Sequence, residues 1–428
     1  MQLPFDDHIP AGLQATLNQH AAAHIAETSS LEQHGSPVEL HQQKHGIQIF
    51  LEKQIQRQLR PQINLFGRLF SAYTSFGFMG IVLAVSIAYG LTIARGLSIW
   101  VITALLLLTL VLSVLNIALT TWLTGKDSLV FLRYFLSIMA GAAILLRMLN
   151  QPVLLYLENL MLGIGALQGI GRIGCLKVGC CYGKPAPFGI RYSASYARAG
   201  FPAFLVGARL FPIQLLESTW ILISAAISIT LALVSGEIGY GLATHLVLFS
   251  TGRFCLELLR GDTARTYWGI FSEAQWLSLL MVTGVVVFEL LQMLPFHYWH
   301  MVLATLLLIF ALFVAYAQTR PSFVLHKPET IHQLSKSLVL LEKSRIQGLS
   351  GNHAVHLRKI STDLQISDGI YSDEGKHVHH YTMSYKNRFM SMKDARRIAK
   401  LIQSWHPREE KSKLIHHYQN AFHFLRYL

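Results

Sequence analysis

The sequence predicts an all-α polytopic membrane protein: a bundle of seven or eight transmembrane helices with an irregular loop at the membrane interface and a small α+β soluble module at its C-terminal end. Three observations predict this fold class. Of 428 residues, 52% are hydrophobic and only 14% are charged, with a mean hydropathy of +0.40, which exceeds the usual composition of soluble domains. Apolar stretches long enough to cross a hydrocarbon core of about 30 Å recur along the chain. The last quarter is basic instead and contains about half of all Lys and Arg residues.

We expect the chain to divide into three parts. These are a polar N-terminal arm over residues 1–65, a membrane region over residues 66–320 and a basic module over residues 321–428. Within the arm, residues 46–63 alternate apolar and cationic side chains at helical intervals. This pattern predicts a helix that either lies on the membrane surface or is exposed to solvent. The arm has no early apolar segment, so no cleavable signal peptide is expected.

Eight windows contain the roughly 20 mostly apolar residues that one membrane crossing needs. The first and fourth windows are rich in Gly and Ser, which predicts close packing against neighbouring helices. The third window contains two arginines and the last follows its neighbour after only two residues, so seven crossings remain an alternative to eight. The windows are residues 69–92, 97–122, 129–148, 152–172, 212–235, 237–258, 274–294 and 297–318.

The segment between the fourth and fifth windows, residues 175–211, is too polar and too rich in Gly and Pro to be a spanning helix. Such a segment is tolerated at membrane depth only where protein buries it or where it lines a cavity. In the basic module, the sequence predicts helices near residues 329–345 and 392–405. Strand-like runs at residues 353–362 and 377–386 are expected, with a hairpin turn just before the second.

Ionisable residues within spanning segments are costly and usually mark a function. Arg172 lies between Gly171 and Gly174, where the absence of side chains would let its guanidinium and nearby backbone N–H groups approach a phosphate. The alternative is an interfacial arginine that extends toward the headgroups.

A second charged group lies at the end of the sixth window. Helical spacing places Arg253, Glu257 and Arg260 on one face, at i, i+4 and i+7. A buried charged triad contributes little net stability, because desolvation offsets the attraction. We therefore expect it to bind a charged ligand, although an ion-pair network that only closes the helix end would show the same spacing.

At the start of the fifth window, Gln214 and Glu217 are i, i+3 neighbours just after Pro212, a residue that favours helix starts. The carboxylate is predicted to accept a proton or to hold one of the arginines.

Together these motifs resemble those of the prolipoprotein diacylglyceryl transferase family. The motifs are, in order, Gly-Arg-Ile-Gly, Gly-Cys-Cys-Tyr-Gly, Pro-Ile-Gln-Leu-Leu-Glu and Gly-Arg-Phe-Cys-Leu-Glu-Leu-Leu-Arg-Gly-Asp. Members of this family move the diacylglyceryl group of phosphatidylglycerol to the thiol of a lipoprotein precursor and release glycerol phosphate. The resemblance implies a multi-pass protein of the bacterial inner membrane with no metal and no diffusible cofactor.

The resemblance also implies roles for individual residues. Arg172, Arg253 and Glu257 would be catalytic. A substrate-binding role would fall to Gln214, Glu217, Arg260, Gly171 and Gly174. The expected partners are phosphatidylglycerol or a related anionic phospholipid and a lipoprotein precursor, and no nucleic acid.

The chain departs from the family pattern at several positions. Cys175 replaces an expected Asn, and Cys180 stands where the family has Glu. The family's His-Gly-Gly element in the third span is also absent. The cluster of Cys175, Cys180 and Cys181 leaves three interpretations open: a structural apolar group, a covalent or redox site, or a metal site, although Cys-x4-Cys-Cys is not a common zinc spacing.

These departures keep two alternative functions open. One is a catalytically altered paralogue that acts on a different acceptor. The other is a lipid-binding or scaffold protein of the membrane that has lost turnover. Consumption of phosphatidylglycerol, as opposed to its binding alone, separates the enzyme from the binding protein.

Overall fold

A computed structural model provides the structure of the chain. It describes residues 38–39, 46–65, 67–124, 131–320, 325–346, 356–359, 364–373, 376–386, 389–405, 412–417 and 421–427. The contacts divide the chain into two compact units. The helical unit contains the described residues of 55–184 and 211–321. The sheet unit contains the described residues of 1–54, 185–210 and 322–428.

Helices dominate the described part of the chain. The helical unit contains one helix at each of the eight predicted windows, and the expected helix of the N-terminal arm is also formed. In chain order the α-helices are α1 (Gly46–Gln58), α2 (Ala72–Ala94), α3 (Ile99–Thr124), α4 (Phe131–Met148), α5 (Val153–Val178), α6 (Ala194–Ala197), α7 (Ile213–Val234), α8 (Tyr240–Glu257), α9 (Glu273–Leu290), α10 (Tyr298–Gln318), α11 (Pro328–Ile346) and α12 (Met392–Ser404).

Six helices in the described residues are long and apolar enough to cross a membrane: α2, α3, α5, α7, α9 and α10. Helices α4 and α8 are not among these six. The apolar part of α4 is shorter, and α8 contains two charged residues, Arg253 and Glu257, in its last two turns. The predicted fold class, a polytopic helical membrane protein with a small sheet-containing module, is confirmed.

The close packing expected of the Gly-rich windows is confirmed where α2 meets α5. A side chain added at Gly163 would lie 2.6 Å from the carbonyl oxygen of Ala84. One added at Gly174 would lie 3.2 Å from the backbone of Tyr73. Glycine at these positions allows the two helix backbones to approach closely, as small residues commonly do in membrane bundles.

The fourth predicted window ends too early. Helix α5 continues to Val178, so Cys175 lies on the helix rather than in the irregular segment. Gly179 ends the helix in the left-handed conformation, with φ of 79°, and its N–H donates to the carbonyl oxygen of Cys175. Glycine is the residue that adopts this conformation most easily at a helix end, and the chain turns back there.

The sheet unit contains a six-stranded antiparallel sheet. Both helices predicted in the basic module are present as α11 and α12, and the predicted hairpin pairs Asp373 with Lys376. The sheet order is β1-β11-β12-β10-β9-β8. The strands of the chain are β1 (Val38–Glu39), β2 (Gln62–Leu65), β3 (Arg68–Ser71), β4 (Pro185–Arg191), β5 (Arg209–Leu210), β6 (Tyr267–Trp268), β7 (Phe271–Ser272), β8 (His356–Lys359), β9 (Leu364–Asp373), β10 (Lys376–Tyr385), β11 (Ser412–His417) and β12 (Ala421–Tyr427).

Residues 185–210, which lie between α5 and α7 in the sequence, belong to the sheet unit. They form the β4–β5 pair. The guanidinium of Arg209 donates to the carbonyl oxygen of Gln403 at 2.7 Å, and the Phe204 ring lies 5.1 Å from that of His332. The prediction of an irregular interfacial loop was therefore wrong for residues 185–210. Contacts with residues so distant in the chain leave no local pattern in the sequence.

Candidate functional site

Three helices of the helical unit bring the predicted charged residues together. Glu217 on α7 lies between Arg172 on α5 and Arg253 on α8. Its carboxylate oxygens are 3.1 Å from Arg172 Nε and 2.5 Å from Arg253 Nη1. Glu217 itself is only 1% exposed. Two arginines from different helices therefore share one buried carboxylate.

The predicted Arg–Glu–Arg ladder is confirmed. Glu257 Oε2 lies 2.9 Å from Arg253 Nη2 and 3.5 Å from Arg260 Nη1. Helix α8 ends at Glu257, and Arg260 lies in the turn that follows. Arg253 therefore contacts Glu217 and Glu257 at once and links the two carboxylates.

Two further residues of this cluster, Asp262 and Arg265, were not predicted to have a role, although Asp262 ends the last of the quoted family motifs. Asp262 receives two hydrogen bonds from Arg260, at 3.0 and 2.9 Å. Arg265 donates to Glu257 Oε1 at 3.0 Å and to the carbonyl oxygen of Asp262 at 3.0 Å. Neither lies on α8, so helical spacing cannot reveal them. The density of charged residues over 260–265, directly after the ladder, was the available signal.

This group of residues, here called the arginine cluster, has a net positive charge. Among the described residues it contains four arginines and three carboxylates, which leaves a net charge of +1. The side chains of Arg172 and Arg253 are 21% and 13% exposed, against 7% for Arg260 and 8% for Arg265. Arg172 and Arg253 are thus the two cations most accessible to a ligand.

The electrostatics at Arg260 favour its charged form. Burial alone would lower the pKa of its guanidinium, but Glu257 and Asp262 raise that pKa well above its ordinary value. Arg260 is therefore a fixed cation.

Backbone hydrogen bonds hold the loop after α5 against the turn that carries Arg260. The Gly261 N–H donates to the carbonyl oxygen of Tyr182 at 2.9 Å, and the Lys184 N–H donates to that of Leu259 at 3.0 Å. A side chain at Gly261 would lie 2.6 Å from the carbonyl oxygen of Gly183. Glycine at position 261 is required for this close approach.

The same loop brings three thiols together. Cys175 lies on the last turn of α5, and Cys180 and Cys181 follow after Gly179. The three sulfur atoms lie within 4.8 Å of one another, and this is the one such group of potential metal ligands among the described residues. Cys175 is buried, Cys180 and Cys181 are half-buried, and none of the three forms a disulfide. Hydrogen bonds from the other two thiols lower the pKa of Cys181 well below its ordinary value, against the effect of burial.

Gln214 contacts the cysteine loop. The side chain is fully buried, and its Nε2 donates to the carbonyl oxygen of Cys180 at 2.8 Å. Its Oε1 has no hydrogen-bond partner among the described residues. The predicted substrate-binding role of Gln214 stays a prediction, and its observed contact positions the loop.

The two glycines beside Arg172 differ from the prediction. Both lie inside α5, where backbone N–H groups are committed to helical hydrogen bonds. The backbone there is therefore not free to bind a phosphate. Gly174 packs against α2, whereas a side chain at Gly171 would meet no atom within 4 Å. Gly171 thus leaves open space next to Arg172, and Gly174 serves helix packing.

The helices and the buried arginine cluster define a polytopic membrane protein with a polar, cationic site inside its helical unit. Residues 129–291 match the family model of the prolipoprotein diacylglyceryl transferases. These residues contain every member of the arginine cluster and all three clustered cysteines. The family resemblance predicted from the motifs is thereby confirmed for this part of the chain.

Curated relatives agree with this match. The chain is 30% identical over 144 residues to a phosphatidylglycerol–prolipoprotein diacylglyceryl transferase of Clostridium tetani, covering 33% of this chain and 55% of that protein. It is 32% identical over 139 residues to transferase 2 of Clostridium perfringens, covering 32% and 51%. For the Symbiobacterium thermophilum transferase, identity is 29% over 147 residues, covering 34% and 54%. The chain therefore spans about half the length of the curated relatives it matches.

Proposed function

We propose that this protein is an integral-membrane transferase that moves the diacylglyceryl group of phosphatidylglycerol to a cysteine thiol and releases glycerol phosphate. The observation that carries the proposal is the sharing of Glu217 by Arg172 and Arg253. This arrangement holds two guanidinium groups from separate helices side by side, with enough exposure to meet a ligand.

The charge of the arginine cluster matches this substrate. Its net charge of +1 balances the single negative charge of a phosphodiester. Arginine also presents a planar fork of donors that matches phosphate oxygens. The carboxylates orient these donors before a ligand arrives, so little reorganisation is needed when it binds.

The chemistry of the transfer follows from this placement. The sulfur attacks the glyceryl carbon that bears the phosphate, the carbon–oxygen bond breaks, and negative charge grows on the phosphate oxygen that leaves. Arg172 and Arg253 would hold the phosphate and stabilise that charge, and Glu257 would hold Arg253 in place. Fixed donors directed at developing charge are commonly the largest single contribution to such catalysis.

The natural acceptor in this proposal is the cysteine of a lipoprotein precursor, and the site of action is the cytoplasmic (inner) membrane of a bacterium. The names of these relatives support the phospholipid and the precursor as substrates. The replaced Asn and Glu positions, now Cys175 and Cys180, favour a second candidate: the same lipid chemistry with a different thiol acceptor.

The test uses the full chain purified into phosphatidylglycerol vesicles with a peptide that contains a lipoprotein-precursor cysteine. Mass spectrometry measures glycerol phosphate and the diacylglyceryl-modified peptide. We expect both products, and a loss of about 10²–10³-fold in Arg253→Gln. Arg147→Gln, at an exposed position on α4, is the matched control and should retain activity.

Three outcomes are informative. Release of glycerol phosphate without peptide modification would support the second candidate and redirect the search for the acceptor. Binding of phosphatidylglycerol without its consumption would replace the transferase with the lipid-binding protein. Equal activity in Arg253→Gln and Arg147→Gln would contradict the assigned site.

A further inference from the structure

The three-cysteine group lies beside the arginine cluster and is not used by the proposed chemistry. A thiol must lose its proton before it can attack carbon. Yet each carboxylate of the arginine cluster is paired with at least two arginines. These carboxylates are occupied in positioning, and the expected His-Gly-Gly element is missing. The site needs another means of activating the acceptor.

We propose that Cys175, Cys180 and Cys181 bind one zinc ion and leave its fourth coordination position open for the incoming thiol. Zinc bonds to thiolate sulfur at about 2.3 Å, so the sulfur atoms of a tetrahedral site lie roughly 3.8 Å apart. The three sulfur atoms here already lie within 4.8 Å of one another. Small side-chain rotations complete the geometry.

The backbone frame of this site exists without the ion. The left-handed Gly179 turns the chain after α5, and the N–H groups of Gly179 and Cys180 both donate to the carbonyl oxygen of Cys175, at 3.0 and 3.2 Å. Cys181 itself has a positive φ of 52°, a conformation rarely adopted by residues other than glycine. This turn directs all three thiols to one place, and Gln214 holds it from α7.

The charge of the surroundings suits a three-thiolate zinc site. Three thiolates and one Zn²⁺ sum to a charge of −1, and the neighbouring arginine cluster has a net charge of +1. Arg172 lies three residues before Cys175, on the same side of α5. Arg260 is held next to the cysteine loop by the pairing of Gly183 with Arg260.

The open position is what distinguishes a reactive zinc site from a structural one. Structural zinc sites take four protein ligands, and catalytic ones keep a position for water or substrate. No fourth Cys, His, Asp or Glu of the described residues joins the group. Cys180 and Cys181 are only half-buried, which leaves the ion approachable.

This role rests on the proposed transferase function. A thiol that binds the ion is deprotonated outright, and its proton passes to water or to the departing phosphate. The sulfur then supplies the electron pair for the new carbon–sulfur bond, while the carbon–oxygen bond breaks and its electrons leave with the glycerol phosphate. No oxidation or reduction occurs.

The test measures metal on the purified full chain, apart from any activity. We expect about one zinc per chain by mass spectrometry of the metal, in the wild type and in Cys255→Ser. Cys255 lies outside the group, so this variant is the matched control. Cys180→Ser and Cys181→Ser should each lose at least 90% of the zinc. Replacement with Co²⁺ should give sulfur-to-cobalt absorption that changes when the thiol peptide is added.

A second measurement uses only the wild type, so the metal site can be tested even if the cysteine variants fail to fold. In the wild type, Zn²⁺ should protect the three thiols from alkylation, and a chelator should restore their reactivity. Absence of both cobalt absorption and zinc protection in folded protein would overturn the metal site. A cobalt spectrum that the peptide leaves unchanged would overturn the open position.

Zinc binding and consumption of phosphatidylglycerol are measured separately, so the metal site and the transferase function can fail independently. If the protein binds zinc but never consumes phosphatidylglycerol, the transferase fails and the metal site stands. If metal-free protein turns over at the full rate, the transferase stands and zinc activation fails.

Discussion

Substitution of Glu217 by Gln tests the arrangement at the centre of the site. The change removes one negative charge at nearly constant shape, so both Arg172 and Arg253 lose their shared partner. Breaking a buried ion pair from one side costs about 3–5 kcal/mol of stability. The net charge of the arginine cluster rises from +1 to +2, so attraction for an anionic lipid persists while the orientation of the two guanidinium groups is lost.

The expected kinetic result is a split between kcat and KM. We expect kcat to fall about 10²–10³-fold, the effect of losing one oriented donor in comparable sites, while KM for phosphatidylglycerol does not rise. The assay is glycerol phosphate release from vesicles of varied phosphatidylglycerol content, normalised to folded protein. Thermal unfolding in detergent measures the loss of stability.

Glu158 offers a matched control in the same helical unit. It is fully buried and lies 2.7 Å from Arg95, outside the arginine cluster. Glu158→Gln should therefore destabilise the protein by a comparable amount and leave kcat per folded molecule within a few fold of wild type. If Glu217→Gln retains as much kcat as Glu158→Gln, the bridging carboxylate does not position the catalytic arginines and the reasoning fails.

Two further substitutions examine contacts found only in the structure. Arg265→Gln removes the donor to Glu257. Because a hydrogen bond to a charged group contributes about 1.5–3 kcal/mol, turnover should fall about 10- to 100-fold. Unchanged turnover in the vesicle assay would exclude Arg265 from the site. Gly261→Ala should lower both activity and unfolding temperature, because the new carbon would meet the carbonyl of Gly183. Gly284→Ala on α9 is the control, because the added carbon would have no neighbouring atom within 4 Å. This variant should stabilise the protein by roughly 0.5–1 kcal/mol. Equal unfolding temperatures for the two variants would contradict the close approach of Gly261 to Gly183.

The helices of the membrane region were predictable because apolar length is a local property. Each of the eight windows became a helix, with ends shifted by a few residues. The largest shift is at α5, because the predicted window ends at Arg172 whereas residues 173–178 continue the helix to Val178. The ladder of Arg253, Glu257 and Arg260 was predictable for the same reason, since i, i+4 spacing acts within one helix and its following turn.

Other parts of the site depend on contacts between segments far apart in the chain. Arg265 reaches Glu257 from outside the helix, and no periodic pattern marks it. The assignment of residues 185–210 to the sheet unit likewise rests on partners such as Gln403, almost 200 residues away. Hydropathy and spacing do not encode such pairs.

Composition, local periodicity and ordered motifs were enough to predict the membrane-spanning helices, the residue types of the site and the family resemblance. The folded chain was needed to show that Glu217 joins Arg172 to Arg253 and that the sulfur atoms of the three cysteines lie within 4.8 Å of one another. The physical reason is that charge pairing and ligand geometry depend on distances between separate helices and loops. Those distances arise when glycine-lined helices pack closely and when left-handed turns such as Gly179 redirect the chain.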